Sequence, residues 1–231
     1  MKLKELKNQL SGKTVEQILY ELTSVFPGEV IFTSSFGVED QVISHKILSN
    51  NLNIKIITLD TGRLFNETYD VFSKTIEKYG NKISVYFPDY MSVEKLVTEK
   101  GPFSFYESVE NRRECCKIRK VVPLNRALEG MKCWISGIRA DQSDNRSSMD
   151  WIEYDEDKKL FKIYPLFDWT FNDVTSFVKE NNVPYNLLHD KGFVSIGCQP
   201  CTKAIQPGEY FRAGRWWWEN EGPKECGCHI K

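Results

Sequence analysis

Four short apolar runs, each followed by a stretch with helical spacing, restrict this 231-residue chain more than any other feature. Val30–Thr33, Ile54–Leu59, Ile83–Phe87 and Cys133–Ile138 are rich in β-branched and aromatic residues and too short for helices. The spacing between them predicts helices up to about Leu48, over about Asn66–Lys78, over about Ser92–Glu99 and from about Asn111. Strands that alternate with helices build an α/β fold, a mostly parallel twisted sheet with helices on both faces. Trp151–Tyr154 and Leu160–Ile163 predict a hairpin, and a helix over about Thr170–Asn181 follows. Upstream, Leu3, Leu6, Leu10, Val15, Ile18, Leu19, Leu22 and Phe26 keep helical spacing through residues 1–26. They predict an element that covers a sheet edge, ended by Pro27 and Gly28. Pro123 must kink or divide the helix that starts near Asn111, whose buried stripe would be Ile118, Val121, Leu124 and Leu128.

This pattern predicts one α/β domain over residues 1–218. Residues 219–231 hold Gly222, Pro223 and Gly227 and little that packs, so they are expected to form a flexible tail. A net charge of -1 gives no global case for a nucleic-acid or membrane partner. No apolar run approaches the ~20 residues of a membrane span, and the N-terminus carries charges where a signal peptide is apolar. A cytoplasmic protein with reduced thiols is the expectation; homo-oligomerisation is left open.

Ligands of open α/β sheets bind at the carboxyl ends of strands. There the first run leads into Ser34, Ser35, Phe36 and Gly37 before a helix, a layout that offers backbone N–H groups to phosphate. It is not a Walker A loop, because the Gly-Lys-Ser/Thr ending is missing. An ordinary turn with a serine cap explains the loop equally well. Asp60, Thr61, Gly62 and Arg63 end the second run: Asp60 suits a sugar hydroxyl or an amine, Arg63 an anion. Gly137 and Arg139 open a polar stretch after the fourth run. Two such loops on successive strands favour a nucleotide pocket.

Seven cysteines, an odd number, argue against a disulfide framework. Cys115 and Cys116 sit side by side in Arg112–Lys120, where five of nine residues are cationic. A disulfide between neighbours closes a strained ring. Cys198 and Cys201 form a second pair with metal-knuckle spacing. The set Cys115, Cys116, Cys198 and Cys201 admits zinc or an iron–sulfur cluster. Zinc sites commonly use two spaced knuckles, whereas a cluster takes neighbouring thiolates on different irons, which favours the cluster. Cys133, inside a strand, reads as a core residue. Cys226 has Lys224 and His229 nearby, either of which can lower its pKa, and reads as a mobile nucleophile. Trp216, Trp217 and Trp218 stand beside Arg212 and Arg215 and cannot all face a core; a lid and a stacking surface are both open.

These residues resemble the assimilatory adenylyl-sulfate reductases, relatives of the phosphoadenylyl-sulfate reductases, through nearly the whole chain after the N-terminal helices. Ser34–Asp40 is similar to the family's modified pyrophosphate loop, and Leu59–Arg63 and Gly137–Ser143 to its nucleotide loops. Glu114–Lys120 with Cys198 and Cys201 resembles its cluster motif, Arg212–Arg215 its anion-binding pair, and Glu225–His229 its catalytic tail. The resemblance implies an adenine nucleotide alpha hydrolase-like fold and a 4Fe-4S cluster on the four cysteines. It implies that adenosine 5′-phosphosulfate binds, that Cys226 attacks its sulfur, that AMP leaves and that thioredoxin or a similar dithiol donor releases sulfite. His229 joins Cys226 as catalytic, and Lys120, Arg212 and Arg215 neutralise the anions. The family tail commonly has an aliphatic residue where Cys228 stands, and plant relatives carry a thioredoxin-like extension that does not follow Lys231 here. Three other readings stay open: a reductase of the 3′-phosphorylated nucleotide or of both, a zinc-stabilised adenylate-binding protein, and an adenylate-forming ligase. The altered loop counts against the last.

Overall fold

The computed structural model describes residues 1–219, without the side chains of Asp144 and Asn145. Its elements are α1 Leu3–Leu10, α2 Val15–Val25, β1 Val30–Thr33, α3 Val38–Ser49, β2 Lys55–Leu59, α4 Asn66–Tyr79 and β3 Ile83–Tyr86. Next come α5 Tyr90–Lys100, α6 Val109–Cys116, α7 Val122–Leu128, β4 Cys133–Ile135, α8 Asp144–Ser147, β5 Ile152–Asp155, β6 Leu160–Ile163 and α9 Phe171–Glu180.

The strands form one sheet in the order β3-β2-β1-β4-β6-β5. β1 runs parallel to β2 and β4, and β4 runs parallel to β6. The hairpin partner β5 runs antiparallel to β6. The α/β expectation therefore holds, with an antiparallel edge strand added. α1 lies against β5 and covers that edge, as its apolar stripe predicted. The 1–26 stretch is two helices rather than one. Gly12 turns the chain at φ 72°, and Thr14 restarts it as a capping box with Gln17. Order reverses between β1 and β4, so the switch point of the sheet lies between their carboxyl ends.

The chain divides into two compact units. One comprises residues 1–57, 67–84 and 130–186, and holds the sheet core of Ile31, Phe32, Ile57, Cys133 and Ile135. The other comprises residues 58–66, 85–129 and 187–231, and its buried cluster is Phe105, Cys198, Cys201 and Trp216. Its helix carrying the cysteine pair does divide, but ahead of Pro123. A π turn at Lys117–Val121 separates α6 from α7, and Pro123 occupies the first turn of α7, where its missing N–H costs nothing. The extra residue in that turn re-phases α6. Leu124 and Leu128 are buried as expected, yet Ile118 and Val121 are half-buried while Arg112 and Arg119 are buried.

Candidate active site

In the first unit the loop after β1 is folded on its own side chains. Phe36 takes φ 59° and buries its ring against Phe72, 4.8 Å between centroids, and its N–H donates to Ser34 Oγ at 3.2 Å. The N–H and the hydroxyl of Ser35 both donate to Asp40 Oδ2, at 2.6 and 2.7 Å. Gly37 then caps α3. The first turn of α3 also reaches the loop after β4. Glu39 Oε1 accepts from Arg139 Nε at 3.0 Å and from Gln142 Nε2 at 2.9 Å. Arg139 is wholly buried, with further bonds to Asp141 and to the Trp169 carbonyl. The sequence placed Arg139 among anion-binding groups; the fold commits its guanidinium to Glu39 and Asp141.

Gly137 stands between these loops because a side chain has no room there. A Cβ would lie 2.5 Å from Asp40 Oδ1 and 3.3 Å from the Asp40 nitrogen. Gly137→Ala is expected to cost about 1–3 kcal/mol of stability, the usual penalty of overpacking. Urea denaturation of the two proteins measures it.

In the second unit the Asp60–Arg63 loop braces the distant cysteine pair. Asp60 Oδ1 accepts from Gly62 N at 2.8 Å, a turn helped by φ 69° at Gly62. Thr61 Oγ1 lies 3.3 Å from Cys198 Sγ, and the Gln199 N–H donates to the Arg63 carbonyl at 2.8 Å. Arg63 spans to the Pro102 carbonyl at 2.6 Å and lies over the Phe105 ring at 4.9 Å.

The same unit brings together all four predicted ligands. Cys115, Cys116, Cys198 and Cys201 line one small cavity with Arg112, Arg119 and Lys120. Among the described residues no three His, Cys, Asp or Glu side chains converge as they would on one metal ion. Burial pushes the Cys115 thiol up, and burial with the neighbouring Cys198 and Cys116 pushes Cys201 up to about 12. Lys120 and Arg215 pull the other way. Such thiols ionise only when a metal takes their charge. Buried N–H groups of this unit left without a hydrogen-bond partner among the described residues include Arg119 Nε, Arg215 Nε, Trp216 Nε1 and Trp218 Nε1. Both tryptophans belong to the cluster of rings packed with the cysteines.

The three tryptophans separate by environment, as their number required: Trp216 is buried, Trp218 half-buried and Trp217 more exposed. Trp216 is ringed by cations, with Arg112, Arg215 and Arg212 at 4.6, 4.9 and 5.9 Å from its ring. Arg215 Nη1 also donates to Ser195 Oγ and the Ile196 carbonyl, both at 3.3 Å. Arg112 forms a two-pronged pair with Glu219, at 2.8 and 2.9 Å, both side chains buried. Glu219→Ala leaves that guanidinium buried without its carboxylate, and a loss of about 3–5 kcal/mol is expected on denaturation. Phe105 and Glu219 were not singled out from sequence, and Arg112, Arg119, Glu39 and Asp40 stood there only within longer motifs, without roles of their own. For the two arginines a signal existed: Arg112, Cys115, Cys116 and Arg119 recur at helical spacing on one face. Cys226, Cys228 and His229 lie outside the described residues.

Residues 29–204 match the family model described as the phosphoadenosine phosphosulfate reductase domain. The chain is 47% identical over 203 residues to the adenosine 5′-phosphosulfate reductase of Agrobacterium fabrum, covering 88% of this chain and 78% of that one. It is 46% identical over 227 residues to that of Sinorhizobium fredii, covering 98% and 90%. Among solved structures it is similar to a phosphoadenylyl-sulfate reductase from Candida auris in a phosphate complex. That match has a TM-score of 0.75 at 29% identity and covers 88% of this chain and 96% of the other. A Candida glabrata FMN adenylyltransferase in complex with ATP, at TM-score 0.55 and 18% identity over 84% of this chain and 62% of its own, shares the fold.

Proposed function

The chain belongs to the phosphoadenosine phosphosulfate reductase domain family, and from that premise we propose that it reduces adenosine 5′-phosphosulfate to sulfite and AMP. The observation that carries this reading is the gathering of Cys115, Cys116, Cys198 and Cys201 with Arg63, Arg112, Arg119 and Lys120 about one cavity. The thiol electrons come from outside, from thioredoxin or a similar dithiol in the cytoplasm.

The Cys226 thiolate attacks the sulfonate sulfur, and the bond to the phosphate oxygen breaks with its electron pair going to AMP. Cys226 then carries an S-sulfonate. A donor thiolate attacks the Cys226 sulfur, and sulfite leaves with the electrons of the S–S bond. The donor's second thiol resolves the mixed disulfide, returning Cys226 as a thiolate and leaving the donor oxidised by two electrons. Residues 1–218 act as the reductase domain and residues 219–231 as the tail that delivers Cys226, anchored at its start by the Glu219 pair with Arg112. Ser34–Gly37 and Gly137 of the first unit hold the nucleotide, with Arg139 bracing them through Glu39, and Asp60–Arg63 of the second unit are further substrate-binding residues. Lys120, Arg212, Arg215 and His229 neutralise phosphate and sulfonate, charge compensation of the kind that dominates transfer catalysis.

The four cysteines would hold a 4Fe-4S cluster. The four thiols line one cavity, and the adjacent Cys115 and Cys116 suit a polynuclear group, which takes neighbouring thiolates on different irons, better than zinc. The N–H donors of Arg119, Trp216 and Trp218 that have no partner among the described residues suit its sulfur atoms. When bound, the cluster supplies a polarisable, charged surface and need not change redox state.

The substrate assignment follows the names of the relatives together with this cysteine set. Initial rates of sulfite release with the two nucleotides test it. A kcat/KM for adenosine 5′-phosphosulfate at least about tenfold above that for the 3′-phosphorylated form is expected, equivalent to about 1.4 kcal/mol. The reverse ranking would give the chain the other substrate.

A further inference from the structure

The loop after β1 presents an unusual balance of donors and charge. In a phosphate-cradling loop the N–H groups point at the ligand. Here the Ser35 N–H, the Ser35 hydroxyl and the Phe36 N–H are all consumed within the loop, the first two by Asp40 and the third by Ser34. The carboxylate that takes them is buried, and the backbone of Gly137 is pressed against its other oxygen. Asp40 therefore ties the loop after β1 to the loop after β4 at the switch point of the sheet, and sets a buried carboxylate against the donors of this loop.

We propose that Asp40 is a positioning residue that sets specificity: it closes this loop to the polyphosphate of ATP while leaving the adenylate site open. The inference rests on the reading above that adenylate binds at the carboxyl ends of these strands. Asp40 acts through Ser35 and Gly137 and has no part in bond making. The charges around it are Glu39 on its own helix and, on the loop after β4, Arg139 and Asp141, which pair with each other. The loop Ser34–Gly37 contributes no titratable group. Burial and the charge of Glu39 push the Asp40 carboxyl up to about 6, against the pull of the Ser35 and Gly137 donors. The carboxyl is thus neutral below that pH and charged above it, so ATP is repelled most at alkaline pH.

The test is calorimetric titration of the whole chain with AMP and with ATP, from pH 5.5 to 8.5. In the unsubstituted protein the ratio of ATP to AMP affinity should fall at least about tenfold as pH rises through the Asp40 transition, the size expected for one like charge within reach of the phosphates. Asp40→Asn should remove that fall and raise ATP affinity at pH 8 by a similar factor, with AMP affinity changed less than about twofold. The difference between the two proteins cancels the titration of the nucleotides themselves. A loop merely loosened by the substitution would weaken both ligands together, and that outcome overturns the proposal. So does an ATP to AMP ratio in the unsubstituted protein that does not change with pH, which needs no variant to fold. Absence of AMP binding to the unsubstituted protein would instead overturn the nucleotide reading, and this inference with it.

Discussion

A Cys226→Ser protein is expected to release sulfite from adenosine 5′-phosphosulfate at less than about a thousandth of the unsubstituted rate. Two separate losses combine. A serine hydroxyl stays protonated near neutral pH, so the first attack on sulfur loses its nucleophile. Any sulfonate that reached the serine oxygen would also be a sulfate ester, with no S–S bond for a donor thiol to break, so reduction stops even after transfer. AMP binding and metal content should stay as in the unsubstituted chain, since neither uses this thiol. Cys228→Ser provides the contrast. In the proposed scheme the external dithiol resolves the intermediate, so this variant should keep its sulfite release within about a factor of three.

Cys198→Ser carries the second large effect, this time on the metal centre and on folding. Cys198 is buried, lies with its Sγ 3.3 Å from Thr61 Oγ1, and begins the knuckle whose Gln199 N–H donates to the Arg63 carbonyl. A hydroxyl there cannot serve as a soft thiolate ligand. Burial keeps Cys115 and Cys201 protonated unless a metal takes their charge, and Arg119 stays buried without the negative group that the proposed cluster supplies. The variant should therefore be purified colourless, with iron and sulfide below about a tenth of the level in the unsubstituted chain. Its midpoint of thermal unfolding should drop by at least about 10 °C, since metal binding free energy is folding free energy in such sites. A variant that kept its iron would remove Cys198 from the ligand set.

The sheet was legible because its strands obey length and periodicity rules that owe little to tertiary context. Val30–Thr33 and the Cys133 strand lie where their apolar runs placed them, and the hairpin from Trp151 to Ile163 appears as β5 and β6. The insertion of β6 beside β4 was not legible, because sheet neighbours are chosen by packing between distant segments. Spacing alone grouped Cys115, Cys116, Cys198 and Cys201, and the fold brings them to one cavity. Its surroundings were harder to read, because the π turn at Lys117–Val121 shifts the helix phase and turns Arg112 and Arg119 inward, against the usual rule for arginine. Arg139 shows the same limit from another side. Its residue type suits an anion, and only the fold reveals that Glu39 and Asp141 hold it. Asp40 was legible only as the last residue of the Ser34–Asp40 loop motif; its bonds to Ser35 are seen only in the fold.

The most direct test of the proposed chemistry is to trap the covalent intermediate. The whole chain is mixed with sulfur-labelled adenosine 5′-phosphosulfate in the absence of any dithiol, quenched, digested and examined by peptide mass spectrometry. The account predicts one AMP released per chain, with the label on the peptide containing Cys226, its mass raised by one sulfonate group. Addition of thioredoxin should then discharge that label as sulfite. Label on another cysteine, or sulfite formed with no labelled peptide at any time, would contradict the account.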